Sequence, residues 1–261
     1  MPLARIYTSD SLDTGIRPLR RSEHMRLVAP TKAETALLEP FQGLPLECIH
    51  LPKTVEALEQ AGRDILAAGI AGFDTESKPT FNAGEKSRGP HVVQFALRDR
   101  AFIFQLHRPE CRALVADLLR SDQVLKVGFG LRNDRAQIRS RLGVTLAAVL
   151  DLDTVFRKRG YKGHIGVRAA VGAVLQRSFR KSKRVTTSNW AAEELTRAQL
   201  LYAANDAFAA LQVMEALEEE KVQSTNLESK RGQHLAVDQA HRHRLDAHTA
   251  KHHPIATHPT P

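Results

Sequence analysis

The stretch Ile70-Ala71-Gly72-Phe73-Asp74-Thr75-Glu76 is an apolar run that ends in two carboxylates. Residues two apart in a β-strand project from the same face, so the run predicts a strand whose end presents Asp74 and Glu76 together. Two neighbouring carboxylates repel each other, and a bound divalent cation removes that conflict. The stretch therefore predicts a metal site at a strand end, where Mg²⁺ takes carboxylate ligands and leaves its other positions to water and substrate phosphate.

A third acidic position lies after the next predicted strand. Asp134 comes one helical turn after the glycine-containing segment Val127-Gly128-Phe129-Gly130. In α/β proteins this edge of the sheet is where ligands bind. Gly128 and Gly130 also begin a dinucleotide-binding pattern, but Asn133 stands where the third glycine belongs, so that alternative is weak.

The last acidic position lies in a predicted helix. Tyr202 and Asp206 are four residues apart, so they share one helix face. The alanines around them, including Ala203 and Ala207, allow this helix to approach another element closely. A carboxylate on such a face needs a partner, and a metal ion is one.

Together these residues match the requirements of two-metal chemistry. Two divalent ions about 3.5–4 Å apart hold the attacking and leaving oxygens of a phosphoryl displacement. Asp74 would bridge both ions, Glu76 and Asp206 would complete one site, and Asp134 would hold the second ion, partly through water. Tyr202 would orient the attacking water, because a tyrosine with an ordinary pKa of about 10 positions water more readily than it removes a proton.

The order Phe73–Glu76, then Val127–Gly130 with Asp134, then Tyr202–Asp206 resembles the tyrosine-containing DEDD (DEDDy) exonucleases. This group includes ribonuclease D and the exonuclease domain of the Werner syndrome helicase. The resemblance covers about residues 50–220. It implies an α/β, ribonuclease-H-like fold with a mixed central sheet and helices on both faces. It also implies 3'-to-5' removal of nucleotides with two divalent cations, Mg²⁺ or Mn²⁺.

The approach to the last motif resembles the same family. Ser188-Asn189-Trp190 precedes Leu195-Thr196 and Gln199, as in that family's Ser-Asn-Trp…Leu-Thr…Gln pattern. Thr196 and Gln199 also form a capping box, which predicts the start of a long helix that ends near Lys221.

Contacts to a nucleic acid are predicted on both sides of the acids. Five of the eight residues in the run Arg177–Arg184 are basic, which favours phosphate contacts, although a solvated loop is the alternative. Trp190 is a candidate to stack on a base, although a lone tryptophan more often belongs to the core. Phe129 is a candidate to contact the terminal nucleotide, although core packing is the stronger interpretation. The Thr75 backbone is a candidate to contact the terminal sugar. The predicted phosphate contacts are Arg180, Lys181, Lys183 and Arg184.

Composition limits the classes of protein to consider. The net charge is +9, of which +6 lies within residues 50–220, and a basic domain around an acidic centre suits a polyanion. Two cysteines are too few for a disulfide framework or a cysteine-based zinc site, which favours the cytoplasm. We expect no membrane span, and Met1–Arg26 lacks the apolar core of a secretory signal.

We predict three regions along the chain. Residues 1–49 form an N-terminal extension, an extended or loosely docked arm, and residues 50–221 form the exonuclease domain. Residues 222–261 contain seven of the twelve histidines and form a polar, disordered tail. Within the domain, His91–Leu97 and Ala101–Leu106 are predicted to pair as a hairpin.

Three functions remain open at this stage. The leading hypothesis is a 3'-5' exonuclease on single strands or 3' ends of RNA or DNA. The alternatives are a hydrolase specialised for very short oligonucleotides and a nucleic-acid-binding adaptor that has the fold without the catalysis. The complete set of acids disfavours the adaptor.

Overall fold

A six-stranded sheet organises the residues that the computed structural model describes, 27–80 and 87–249, with side chains described to residue 227. Its strands are β1 (Ile49–His50), β2 (Ile70–Glu76), β3 (Val92–Ala96), β4 (Ala101–Gln105), β5 (Leu125–Gly128) and β6 (Val149–Asp151). The strand order is β1-β4-β3-β2-β5-β6. β3 pairs antiparallel with β2 and β4, whereas the remaining pairs are parallel. The predicted mixed sheet and its hairpin are confirmed.

Helices connect and cover these strands. They are α1 (Lys32–Ala36), α2 (Val55–Ala68), α3 (Pro109–Arg120), α4 (Arg132–Leu142), α5 (Leu152–Lys158), α6 (Val167–Ala170), α7 (Lys183–Thr186) and α8 (Arg197–Thr249). The Thr54 side chain accepts a hydrogen bond from the first turn of α2. Thr196 and Gln199 form the predicted capping box of α8, since each backbone N–H donates to the other's side chain.

The two faces of the sheet have different neighbours. On one face, Phe73 of β2 and Phe95 of β3 are fully buried in an apolar core shared with α2 and α3. On the other face, Val92 and Ala96 pack in a second core with Ala207 of α8. Helices therefore cover both faces, as predicted.

Gly72 brings α8 directly onto β2. A Cβ atom at Gly72 would lie 1.9 Å from the backbone oxygen of Ala207, so no larger residue fits without displacing one of the two elements. Asp206 is adjacent to Ala207, and Asp74 is two residues after Gly72. This contact therefore sets the distance between the acids of β2 and α8.

The described part of the N-terminal extension is docked against the domain. β1 pairs with β4, Leu27 bridges Tyr161, and Pro40 bridges Ser178. The prediction of a loosely docked arm is therefore wrong for residues 27–49, because these contacts join it to segments more than 50 residues away in sequence, as Ile49 with Ala101. Residues 1–26 lie outside the described residues.

The C-terminal region differs from the predicted tail. The predicted helix end near Lys221 is wrong, since α8 continues to Thr249. Residues 222–249 contain no proline and one glycine, so little in their sequence opposes a helix. The chain divides into two units, residues 1–216 and 217–261, and residues 250–261 lie outside the described part. Among the described helices, none has the length and apolar character that crossing a membrane requires.

Candidate active site

Three carboxylates meet where α8 crosses the end of β2. Asp74 and Glu76 project from the same face of the strand, and Asp206 projects from the helix toward them. One oxygen from each of the three lies within 4.8 Å of the others. Glu76 and Asp206 are buried, at 8% and 4% exposure, while Asp74 is half-buried. The sequence prediction that these three residues come together is confirmed.

Asp134 approaches from α4 and joins this cluster through Thr75. The Thr75 hydroxyl donates a 2.5 Å hydrogen bond to Asp134 Oδ1. The Thr75 backbone N–H donates to Asp74 Oδ1 at 2.9 Å, so one residue links carboxylates from two elements. Its predicted contact with a terminal sugar stays a prediction.

Asp151 holds the turn that begins α4. Its two carboxylate oxygens accept hydrogen bonds from the N–H groups of Gly130 and Leu131, each at 2.9 Å. This turn leads directly into the first turn of the helix, which contains Asp134. The sequence analysis did not assign Asp151 a role, and an aspartate at the end of a short parallel strand is the signal that indicates one.

Burial and mutual repulsion raise the pKa of each acid in the cluster. Burial raises the pKa of Asp74 well above its ordinary value, and the charges of Asp134 and Asp206 raise it further. Burial, followed by the charge of Asp74, raises the pKa of Glu76 to about 9. Burial also raises the pKa of Asp206 and of Asp134. The cluster therefore resists carrying its full negative charge unless cations neutralise it.

Lys181 supplies one positive charge to the cluster. Its ammonium forms a 2.5 Å ion pair with Asp206 Oδ2 and lies 5.3 Å from the centre of the Tyr202 ring. Burial acts to lower the pKa of Lys181, but the charges of Asp206 and Asp74 outweigh it and raise that pKa. One lysine does not balance three carboxylates, so the donor set fits a divalent cation. Asp74, Glu76 and Asp206 are the residues that would hold it.

Tyr202 faces the cluster in a protonated state. Burial, followed by the nearby charge of Asp206, raises the pKa of Tyr202 to about 12. The Thr186 hydroxyl lies 2.9 Å from the Tyr202 oxygen and 3.1 Å from the Ser182 backbone oxygen, and a hydrogen bond from Tyr202 acts to lower the pKa of Asp206. At neutral pH, Tyr202 is therefore a hydrogen-bond donor rather than a base.

Trp190 packs against Tyr202 and is shielded from solvent. It is 1% exposed, and its ring centre lies 6.0 Å from that of Tyr202. Its indole N–H donates to the backbone oxygen of Thr186 at 3.3 Å, and the neighbouring Ser188 hydroxyl accepts a hydrogen bond from Gln199. The prediction that Trp190 stacks on a base is wrong, because the indole is enclosed in the core between the sheet and α8.

The remaining predicted contact residues lie around the cluster. Phe129 is half-buried and stacks on Phe156, with ring centres 6.4 Å apart. The predicted phosphate contacts are all exposed and lie at the start of α7: Arg180, Lys181, Lys183 and Arg184. Their contacts with phosphate stay predictions.

Comparison with known proteins agrees with this geometry. A family model described as 3'-5' exonuclease matches residues 49–221. The chain is 29% identical over 174 residues to "Exonuclease 3'-5' domain-containing protein 2" of Drosophila melanogaster, covering 66% of this chain and 29% of that protein. It is 27% identical over 153 residues to "Bifunctional 3'-5' exonuclease/ATP-dependent helicase WRN" of Mus musculus, covering 57% of this chain and 11% of the relative. The chain thus spans less than a third of the length of either relative.

Solved structures show the same fold at lower identity. The EXO domain of Aedes aegypti Nibbler superposes with a TM-score of 0.58 and 23% identity, covering 69% of this chain and 91% of that one. Escherichia coli RNase D gives a TM-score of 0.56 and 18% identity, covering 68% and 46%. These neighbours confirm the predicted ribonuclease-H-like fold. Since the family model matches well over half of the chain, the chain belongs to the 3'-5' exonuclease family, whose members are hydrolytic enzymes.

Proposed function

We propose that the chain is a metal-dependent exonuclease of the tyrosine-containing DEDD subclass. It would hydrolyse the phosphodiester bond at the 3' end of a nucleic acid, with the catalytic domain at residues 50–221. The observation that supports this most is the convergence of Asp74, Glu76 and Asp206 within 4.8 Å, directly beside a protonated Tyr202.

The acids have distinct roles in this proposal. Asp74, Glu76 and Asp206 would hold one divalent cation, and Asp74 with Asp134 would hold a second. When bound, two Mg²⁺ or Mn²⁺ ions lower the pKa of the attacking water and stabilise the charge on the phosphate oxygens. Thr75 fixes the orientation of the Asp134 carboxylate through its 2.5 Å hydrogen bond.

Tyr202 orients the attacking water by donating its phenolic proton. Two contacts support this role. The Tyr202 hydroxyl lies 2.9 Å from that of Thr186 and also hydrogen-bonds to Asp206, which holds it beside the acids. Trp190 packs against the Tyr202 ring and limits its movement. A fixed donor reduces the orientational freedom that the water loses on the way to the transition state.

The substrate in this proposal is a single strand or a 3' end of RNA or DNA. The net charge of +9 and the exposed arginines near α7 favour a polyanion. One structural neighbour, RNase D of Trypanosoma brucei, was solved in complex with RNA U12. Location in the cytoplasm stays a prediction.

A denaturing-gel time course tests the function. The substrates are a 5'-labelled single-stranded RNA and the equivalent DNA, each 20 nucleotides long, together with a 2-nucleotide RNA. Each is incubated with Mg²⁺, with Mn²⁺ or with EDTA. We expect a descending one-nucleotide ladder that EDTA stops and that Asp74→Asn abolishes.

Other outcomes contradict the proposal in distinguishable ways. An untouched 20-mer in every lane, with a folded protein that retards the same strand in a native gel, would favour the adaptor. Cleavage of the 2-mer alone would favour the short-oligonucleotide hydrolase. Cleavage that persists in Asp74→Asn would exclude this site.

A further inference from the structure

A cavity of about 460 Å³ opens beside Tyr202 and Asp206. One of its walls consists of Pro40, Phe41 and Gly43, which precede the residues that match the family model. A second wall comes from residues 178–185, the segment that contains most of the basic run. The volume falls within the range of about 300–1,000 Å³ that small-molecule sites occupy.

Backbone hydrogen bonds join the two walls. The Phe41 N–H donates to the Ser178 oxygen at 3.0 Å, and the Ser178 N–H donates to the Glu39 oxygen at 2.7 Å. Residues far apart in sequence are thus paired as in a short parallel ladder. The N-terminal wall is therefore built into the domain, so its side chains keep a fixed position relative to the acids.

Asn205 fastens the same wall to the catalytic helix. Its side-chain oxygen accepts a 2.6 Å hydrogen bond from the Leu44 N–H, and its amide nitrogen donates to the Leu44 oxygen at 3.4 Å. A Cβ atom at Gly43 would lie 2.2 Å from the Asn205 side-chain oxygen, so a larger residue there would displace the side chain that holds Leu44. Asn205 directly precedes Asp206. The same turn of α8 therefore contains the acid and the side chain that holds this wall.

The chemistry of the cavity combines an aromatic floor with a cationic rim. Phe41 contacts Phe179 edge to face, with ring centres 5.4 Å apart. Arg180 and Arg184 also line the cavity, and both are exposed. A ligand that suits both features has a planar ring and an adjacent anion. A nucleotide has both.

We infer that this cavity is a subsite for one nucleotide of the substrate, next to the bond that is cut. Its base lies against the Phe41 and Phe179 edges, and its phosphate is bound by Arg180 and Arg184. The inference rests on the proposed function and deepens it, because it assigns a nucleotide-binding role to residues 40–43 outside the matched domain.

Binding of adenosine 5'-monophosphate, ribose 5-phosphate and inorganic phosphate tests the subsite. Trp190 is the one tryptophan of the sequence and packs against Tyr202, so its fluorescence reports on ligands in the cavity. Titrations in EDTA and in Mg²⁺, repeated by calorimetry, give Kd without requiring turnover. We expect the adenosine nucleotide to bind at least about fivefold more tightly than ribose 5-phosphate, since stacking is worth about 1–3 kcal/mol per base.

Two variants on different walls sharpen the test. Arg184→Ala removes a charge-assisted hydrogen bond and should weaken nucleotide binding about tenfold or more. Arg112→Ala, which removes an exposed arginine from α3 on the other face of the sheet, is the matched control. Gly43→Ala displaces the Asn205 side chain from its hydrogen bonds with Leu44, which loosens the N-terminal wall and should weaken binding to a similar extent. Gly166→Ala, at a position with open space around it, is its control.

Different results would contradict the proposed subsite and the proposed exonuclease activity. Equal affinity for nucleotide and ribose 5-phosphate, or nucleotide binding unchanged in both Arg184→Ala and Gly43→Ala, would overturn the subsite even if the gel shows a ladder. Equal weakening in the control variants would overturn it as well, since it would indicate diffuse electrostatics. In the cleavage assay the two wall variants should raise KM about tenfold and change kcat less. Nucleotide binding with the expected variant effects, but without hydrolysis, would retain the subsite and reject the exonuclease.

Discussion

The two faces of β2 differ in what they contribute. The face that presents Phe73 is packed with large apolar side chains, and its partners in β3 and β4, Phe95 and Phe104, are fully buried. The other face presents Gly72, Asp74 and Glu76 to the alanine-rich surface of α8. The first face stabilises the fold through buried apolar area. On the second face, small residues allow the carboxylates of β2 and α8 to come close together, and their repulsion lowers the stability of the fold.

The largest expected effect is on the acidic face, through Asp74→Asn. The change retains the shape of the side chain but removes a charge that no neighbour replaces, so kcat/KM should fall by about 10⁴-fold. Because burial and repulsion raise the pKa of Asp74, neutralising it should leave the melting temperature unchanged or higher in EDTA. Asp117→Asn at an exposed position is the control. A variant that loses both activity and folding would contradict the division of roles between the faces.

Phe95→Ala tests the apolar face. Phe95 is fully buried, and its ring centre lies 5.5 Å from that of Phe73 and 6.1 Å from that of Phe104. Truncating it should cost about 3–5 kcal/mol of unfolding free energy, because the cavity cannot collapse fully. Denaturant unfolding measures the loss, with Val55→Ala, at a residue 58% exposed, as the control. The activity per folded molecule should stay within a few-fold of wild type. A larger loss would show that the faces are coupled.

Local sequence patterns predicted the β2 motif well, because strand and helix periods are local properties. Alternation along Ile70–Glu76 determines which side chains share a face, and the spacing of Tyr202 and Asp206 determines the same on α8. These patterns identified three acids that the fold then brings within 4.8 Å. Local patterns do not set the distance between the acids of β2 and α8, which the close contact of Gly72 with Ala207 determines.

The missed features depend on contacts between distant segments. Leu44 and Asn205 are 161 residues apart, and nothing near either residue indicates the other. Lys126 is similar. It is fully buried in β5, where its ammonium donates to the backbone oxygens of Leu118 and Ser121 at the end of α3. A lysine in a predicted strand suggests an exposed position, and only the tertiary structure supplies the carbonyl groups that satisfy it.

Tyr202→Phe has a smaller expected effect, because it removes one hydrogen bond rather than a charge. The ring keeps its packing on Trp190, so folding and metal affinity should not change. Loss of the donor should lower kcat by about 10²-fold, the cost of misplacing a reactant by about an ångström. Tyr161→Phe makes the same chemical change at a residue outside the cluster. Unchanged kcat in Tyr202→Phe would exclude a water-orienting role, while an equal loss in Tyr161→Phe would indicate a general effect on the fold.

The smallest expected effect is the pH dependence of stability, which the Glu76→Gln variant isolates. Burial and the charge of Asp74 raise the pKa of Glu76 to about 9, whereas in the unfolded chain it has its ordinary value of 4.5. Between these values the folded state binds more protons than the unfolded state, so the stability of EDTA-treated protein should decrease as pH rises from 5 to 9. Glu76→Gln cannot ionise and should lose less stability over this range.

The two proteins should therefore have similar melting temperatures near pH 5 and differ by a few degrees near pH 9, at about 2–4 °C per kcal/mol for a domain of this size. Mg²⁺ should reduce the difference, since a cation neutralises the charge that Glu76 acquires. Glu47→Gln at an exposed position should follow the wild type at every pH. Parallel melting curves for wild type and Glu76→Gln would show that Glu76 is ionised as easily as an exposed residue. The acidic face would then not destabilise the fold, and the contrast between the two faces of β2 would be one of function alone.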